Sequence, residues 1–396
     1  MKSFFYPLIE NPYRSKDILE AIKILRSKKL TIGPKTDQFQ KYFSKKLKSK
    51  FSLMVNSGSS ANLLALQCLI NPYRKKRLKP GDEVLIPSLC WSTSLWPIIQ
   101  SGLKPKFVDI DLETLNINLN DLKKKISKKT KALLIVHVLG NCADMAKLMQ
   151  IIKKHKLILI EDTCESLGTK FKNKYLGTFG DFSSFSFYSS HQISSGEGGM
   201  VCCKNVEDHE IIKSLRAHGW SRGLKNERKI ASANKHLDSR FIFYNSGFNL
   251  RSTDVAASIG LNQFKDLDKF IKLRSDNRIK ILRSLKHNEK IEKNIKFFEA
   301  NNQVKASWFG IPILLSKKIS RAKFLNKIEN LGVETRPIIS GNFLKQPSIK
   351  KYNLLQNSKF INSDIVNKHG FFIGLPTSPI SNKKIKKLVG AFEKSL

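Results

Sequence analysis

Between residues 51 and 162 short apolar runs rich in β-branched residues alternate with stretches of helical length, and that rhythm leaves few folds open. The strand-like runs are 53–55, 83–87, 106–110, 132–138 and 157–161; the helical ones are 63–70, 92–102, 119–127 and 143–155. A strand apolar on both faces must be covered on both faces, and parallel neighbours need a crossover between them. The pattern therefore predicts an α/β fold, a mostly parallel sheet sandwiched by helices. Sheets of this kind bind ligands beyond the carboxyl ends of their strands. Ser57–Ser59, Trp91, Asp162 and the turn that carries His191 all follow strand-like runs, so they are expected on one edge.

The flanking segments complete the plan. Ile18, Leu19, Ile22 and Leu25 have helical spacing over 15–28, and Gly33-Pro34 separates that helix from a second with Phe39, Phe43 and Leu47 on one face. Residues 185–204 read as a strand, a polar turn with one histidine, and a glycine-rich corner into another strand. A long helical region from 253 to about 286 leads into strand-like 308–315, a helix over 321–331, strand-like 333–339 and 371–375, and a terminal helix from 382. This predicts a large α/β domain over 1–265 and a smaller α+β domain over 266–396.

The net charge of +39, from 71 Lys and Arg against 32 Asp and Glu, raises the question of nucleic acid. The cations are spread over many predicted helix faces, with no nucleic-acid motif and no interleaved aromatics, which favours a solvated basic surface. Such a surface suits phosphorylated substrates without specifying them. No apolar run is long enough for a membrane helix, and residues 1–13 do not read as a signal peptide. Six cysteines show neither zinc nor Cys-x-x-Cys spacing, as expected of free thiols in a reducing cytoplasm; no metal site is expected.

The stretch Asn56-Ser57-Gly58-Ser59-Ser60-Ala61-Asn62, between a strand and a helix, is an arrangement that aims backbone N–H groups at an anion; a plain helix cap on Ser59 or Ser60 is the competing reading. With Trp91, Glu161-Asp162-Thr163-Cys164-Glu165 and the His191 turn, it resembles the DegT/DnrJ/StrS-type family of pyridoxal-phosphate (PLP) sugar aminotransferases and dehydratases, which have fold type I. The resemblance implies that Gly58, Ser59 and Ser186 hold the cofactor phosphate, that Trp91 stacks on its ring and that Asp162 pairs with the ring nitrogen. It assigns Asn249 to the phosphate of the partner subunit, hence a homodimer with a shared active site. Glu165 is a candidate for contact with the cofactor's 3-hydroxyl or with the histidine, and His218 and Arg336 are candidates for carboxylate or substrate-phosphate contacts.

Most of that family has a lysine where this chain has His191, and no lysine occurs between Lys174 and Lys204. A histidine cannot hold the cofactor covalently but can exchange protons near neutral pH. The exchange resembles the sugar 3-dehydratases of the family, with PLP or pyridoxamine phosphate (PMP) bound non-covalently and glutamate as amino donor. Two types are relevant. One acts on GDP-4-keto-6-deoxy-mannose in lipopolysaccharide deoxysugar synthesis; the other acts on the CDP-linked glucose analogue and carries an iron–sulfur cluster. Residues 217–249 contain no cysteine, against a cluster there. The segments Trp91-Ser92-Thr93, Arg216-Ala217-His218-Gly219-Trp220 and 336–343 also look closer to the GDP-sugar type. A nucleotide-sugar aminotransferase using another lysine is the further alternative.

Overall fold

A computed structural model describes residues 3–10 and 12–396. Its first half contains β1 (Phe51–Val55), β2 (Glu83–Pro87), β3 (Lys104–Val108), β4 (Thr130–Val136) and β5 (Ile158–Asp162). A small hairpin, β6 (Lys170–Phe171) and β7 (Lys174–Tyr175), precedes β8 (Phe182–Ser186) and β9 (Gly199–Cys203). Seven of these form one sheet in the order β1-β9-β8-β5-β4-β2-β3. β2 is parallel to β3 and β4, β4 to β5, and β5 to β8; β9 runs the other way between β8 and β1. The expected mostly parallel, helix-covered sheet is what forms.

Alternation along each strand explains the covering. In β4, Ala132, Leu134 and Val136 enter one core while Leu133 and Ile135 enter another. Val84 and Ile86 of β2 and Ile160 of β5 join the first, against Leu64 and Leu66 of the helix Gly58–Ile70 and Leu95 and Ile98 of the helix Ser92–Gln100. Leu85 and Leu159 join the second, beneath the helix Met145–His155. On the same sheet nearer β1 and β9, Met54, Phe185 and Met200 pack on Phe39 and Phe43 from the helix Pro34–Leu47 and on Phe264 from the helix Asp254–Lys265. Each such side chain contributes about 1.5–3 kcal/mol when fully buried, and a strand buried on both faces gains twice from one backbone.

The boundaries depart from expectation where local chemistry decides them. The helix expected to begin at residue 63 begins at Gly58, and its cap is Ser57, whose Oγ accepts from the Ser60 N–H at 3.1 Å, and not Ser59 or Ser60. The long helical region is two helices, Asp254–Lys265 and Leu267–Lys286, divided at Asp266. The strand expected over 333–339 is cut to Thr335–Arg336, because Pro337 has no N–H to give a ladder.

A second, antiparallel sheet has the order Ile295–Phe297, Gly310–Leu315, Gly370–Gly374, Thr335–Arg336. Its own core includes Ile311, Ile313, Phe371 and Ile373, with Phe392 of the terminal helix Asn382–Ser395. Tyr6 packs there too, although it stands at the other end of the chain: its hydroxyl donates to the Gly374 carbonyl at 2.9 Å. Phe309 and Phe372 turn instead toward the core of the large sheet, so the apolar packing runs on from one sheet to the other.

Glu161 anchors the floor beneath the strand ends. Fully buried, it accepts from Gly180 N at 2.6 Å and Gly177 N at 2.9 Å, and His137 Nε2 lies 3.1 Å from its Oε2. Glu161→Ala strands two backbone donors and a ring nitrogen, so stability falls by about 3 kcal/mol or more. The check is a urea denaturation curve; a midpoint equal to that of the unsubstituted protein would remove this anchoring role.

Candidate active site

The carboxyl ends of β1, β4, β5 and β8 point to one edge of the large sheet, and the second sheet closes over it. Between them lies a cavity of about 670 Å³. Gly58, Ser59, Trp91, Asp162, Glu165, Ser186, His191 and Arg336 all line it, so residues scattered over nearly 280 positions of sequence are brought together. Phe309, Pro337, Ile339 and Phe372 supply its apolar wall from the second half of the chain.

Asp162 is the last residue of β5 and is 4% exposed. Its Oδ2 accepts from Asn62 Nδ2 at 2.8 Å and from Ser94 Oγ at 2.7 Å; its Oδ1 accepts from the Cys164 N–H at 3.2 Å. Asn62 and Ser94 belong to the helices that follow β1 and β2. Two helices and the loop after β5 therefore meet on one carboxylate, which is fixed in orientation before any ligand arrives.

The N-terminus of the helix Gly58–Ile70 opens into the same space with Ser57, Gly58 and Ser59. A Cβ on Gly58 would stand 2.7 Å from Cys164 Sγ and 2.8 Å from Ser186 Cβ. Only a residue without a side chain lets this helix start so close to β8. Ser59 Oγ and Thr93 Oγ1 are 2.8 Å apart, which draws the two helix starts together. Unpaired N–H groups, hydroxyls and a helix dipole on one rim suit an anion. Trp91, 56% exposed, caps the next helix and offers its ring to the cavity.

His191 sits in the turn after β8, its N–H donating to the Tyr188 carbonyl at 3.0 Å. The ring meets Phe309 edge-on at 5.2 Å. The residue is half-buried, but Nδ1 is sealed from solvent and has no hydrogen-bond partner. Burial lowers its pKa to about 3; the charge of Arg274 adds to this, and a backbone contact to Tyr188 opposes it. The imidazole is therefore neutral at physiological pH. Glu165 moves the other way, up to about 7: burial raises it, the Leu139 N–H at 2.9 Å opposes, and the Asp162 charge adds. Gln192, next to His191, donates to the Glu165 carbonyl at 2.5 Å and to the Ser307 carbonyl at 3.0 Å, tying the turn to both walls. A neutral base and a carboxyl group that titrates near neutrality in one apolar-walled cavity are equipped for proton transfer.

Asn249 and His218 lie elsewhere. Asn249 is exposed and its Oδ1 accepts from Arg251 Nε at 3.1 Å; the His218 ring meets Trp220 at 4.9 Å. Neither lines the cavity of its own chain. Sequence reasoning assigned no role to Asn62, Ser94, Gln192 or Arg274. Asn62 carried a faint signal, an amide one helical turn beyond Gly58 just ahead of the apolar run Leu63–Leu66. Among the described residues no group of three or more His, Cys, Asp or Glu side chains could hold a metal ion, and no helix is long and apolar enough to cross a membrane.

Comparison with known proteins agrees with this geometry. Residues 12–393 match the model of the DegT/DnrJ/EryC1/StrS aminotransferase family. The GDP-4-keto-6-deoxy-D-mannose 3-dehydratase of Escherichia coli O55:H7 is 36% identical over 374 residues, 93% of this chain and 95% of that protein. The enzyme of the same description from Yersinia pseudotuberculosis is 35% identical over 395 residues, 98% of each chain. The solved E. coli GDP-4-keto-6-deoxy-D-mannose-3-dehydratase with bound hydrated PLP superposes with a TM-score of 0.91 at 34% identity, covering 98% of this chain and all of that one. Fold, site and sequence together place the chain: it belongs to the DegT/DnrJ/EryC1/StrS aminotransferase family.

Proposed function

We propose that this protein is a 3-dehydratase of a nucleotide-linked 4-keto-6-deoxyhexose, GDP-4-keto-6-deoxy-mannose, working with glutamate as amino donor and with non-covalently held PLP/PMP in the synthesis of a lipopolysaccharide deoxysugar. One observation carries the proposal. Among the described residues that line the cavity there is a histidine and no lysine, so the site has a proton carrier but no amine to bind the cofactor covalently.

The residues fit such a cofactor. Asp162, buried and pre-oriented, is the carboxylate for a protonated ring nitrogen. The Gly58 cradle, which a Cβ would fill, would take the phosphate with Ser59 and Ser186; Trp91 would cover the ring and Glu165 would meet its hydroxyl. Bound here, the cofactor would supply a carbon to carry the amino group of glutamate and a conjugated ring able to take up electrons from a breaking carbon–hydrogen bond. The volume of about 670 Å³ lies within the usual range for ligand sites.

His191 moves the protons. Nδ1 is sealed, which leaves Nε2 as the ring nitrogen open to the cavity. As a neutral base it accepts a proton, and as the resulting acid it returns one to the departing C3 hydroxyl, so that the oxygen leaves as water and not as hydroxide. Phe309, Phe372 and Ile339 exclude water around that exchange. Arg336, on the rim, is a fork-shaped cation for a carboxylate or diphosphate.

The proposal includes a homodimer with a shared site. Ile18, Leu19 and Leu25 stand 50–56% exposed on the first helix, and Phe241 and Phe243 near Asn249 are 58% and 60% exposed. Apolar surface of this kind is suited to a second copy, whose cavity Asn249 would reach. All six cysteines are free, which suits the cytoplasm.

Incubation with glutamate, PLP and a panel of nucleotide-linked 4-keto-6-deoxyhexoses tests the assignment by mass spectrometry. The expected product is lighter than the substrate by one oxygen atom, with 2-oxoglutarate and ammonia formed in equal amounts; a product bearing nitrogen at C4 would make the protein an aminotransferase instead. After borohydride treatment the cofactor should still leave the denatured chain. His191→Asn should lower turnover by about two to four orders of magnitude while leaving the denaturation midpoint unchanged, and retained turnover would exclude the imidazole as proton carrier.

A further inference from the structure

Behind the His191 turn, on the side away from the cavity, the helix Leu267–Lys286 buries an arginine that no step of the chemistry calls for. Arg274 is 7% exposed, and its Nη2 donates to the His191 carbonyl oxygen at 3.2 Å. Nε and Nη1 are buried without a partner. A guanidinium in this state is destabilising relative to an apolar side chain of similar size. The acids nearby do not offset it. Glu10, across a small cavity of about 50 Å³, pairs with Lys384 at 2.7 Å, and Arg14 of the same lining engages Asp17 and Asp266.

We propose that Arg274 is a positioning residue for the proton-transfer histidine: it pins the His191 turn from behind and sets an uncompensated positive charge against the imidazole. The inference rests on His191 being the proton carrier, and it goes beyond that assignment by naming what holds the carrier in its working state. The single hydrogen bond fixes the backbone of the residue whose ring must reach the substrate. The charge opposes a second proton on the ring, so the imidazole rests in the deprotonated form, the one that can take up a proton. On the other face of the turn Asp162, Glu165, Glu197 and Arg336 share the main cavity with the ring, as do Cys164 and Tyr188. An ionised carboxylate among them would favour an imidazolium, Glu165 least because burial raises its pKa to about 7; Arg274 from behind and Arg336 from the front oppose it. Burial lowers the Arg274 pKa to about 10, so it remains a cation wherever the enzyme works.

The test follows the histidine directly. In the holoenzyme labelled with 15N-histidine, the His191 signal is the one of eight that disappears in His191→Asn. In the unsubstituted protein it should stay in the neutral form down to about pH 5, well below the ordinary histidine pKa. Arg274→Met should raise its midpoint by at least about tenfold in proton affinity and move the acid limb of kcat/KM the same way, with a lower kcat. Arg274→Lys keeps the charge and loses the fork, so it should hold the midpoint low while kcat falls. The proposal is overturned if His191 titrates near its ordinary pKa in the unsubstituted protein, or if Arg274→Met lowers kcat with the midpoint unmoved. Should Arg274→Met fail to fold, the unsubstituted protein and Arg274→Lys decide alone. The readout is independent of the reaction assignment: loss of the proposed dehydratase activity from the panel experiment would leave this titration interpretable.

Discussion

The carboxylate of Asp162 is the point on which the site depends. It receives hydrogen bonds from two helices and from its own following loop, so the register of β1, β2 and β5 is expressed at a single pair of oxygen atoms. A buried carboxylate without such donors would be costly; with them it is rigid, and its partners are held by it in return. Directly behind it Glu161 secures the other face of the strand to the loop containing Gly177 and Gly180. Consecutive acids in β5 thus serve opposite faces, one toward the cavity and one toward the protein interior, as strand geometry requires.

Around that fixed carboxylate the two titrating groups of the cavity are pushed apart in opposite directions. The imidazole of His191 loses its charged form and the carboxyl of Glu165 loses its own, both chiefly because the same apolar enclosure penalises charge. Relatives with an amine at the position of His191 would place a far stronger nucleophile there. On the function proposed above, the imidazole would keep proton transfer and give up covalent capture, so that a single exchange of side chain would separate elimination chemistry from amine transfer on one scaffold.

Much of the fold could be read from the chain because its information is local. The apolar runs of β2, β4 and β5 and the helices between them follow from periodicity alone. The carboxyl-edge location of Ser57–Ser59, Trp91, Asp162 and His191 follows from topology. What escaped was set by distant partners or by fine backbone chemistry. The helix start at Gly58 resembles a turn because Ser and Gly favour turns until a cap such as Ser57 commits them. The break at Asp266 has no glycine or proline to announce it. Asn62 and Ser94 acquire meaning only through Asp162, 100 and 68 residues away, and Arg274 only through His191, 83 residues earlier. No window of sequence contains both members of those pairs.

The clasp between Tyr6 and the last strand of the second sheet bears on how the molecule is made. Its two ends are 368 residues apart, so at roughly 5–20 residues per second the ribosome spends on the order of 20–70 s between producing the phenol and producing its acceptor. During that interval the large sheet can already be assembling, whereas the second core lacks both its final strand and its terminal helix. The amino-terminal segment therefore works as a late fastener, closing the smaller core only when nearly the whole polypeptide has emerged.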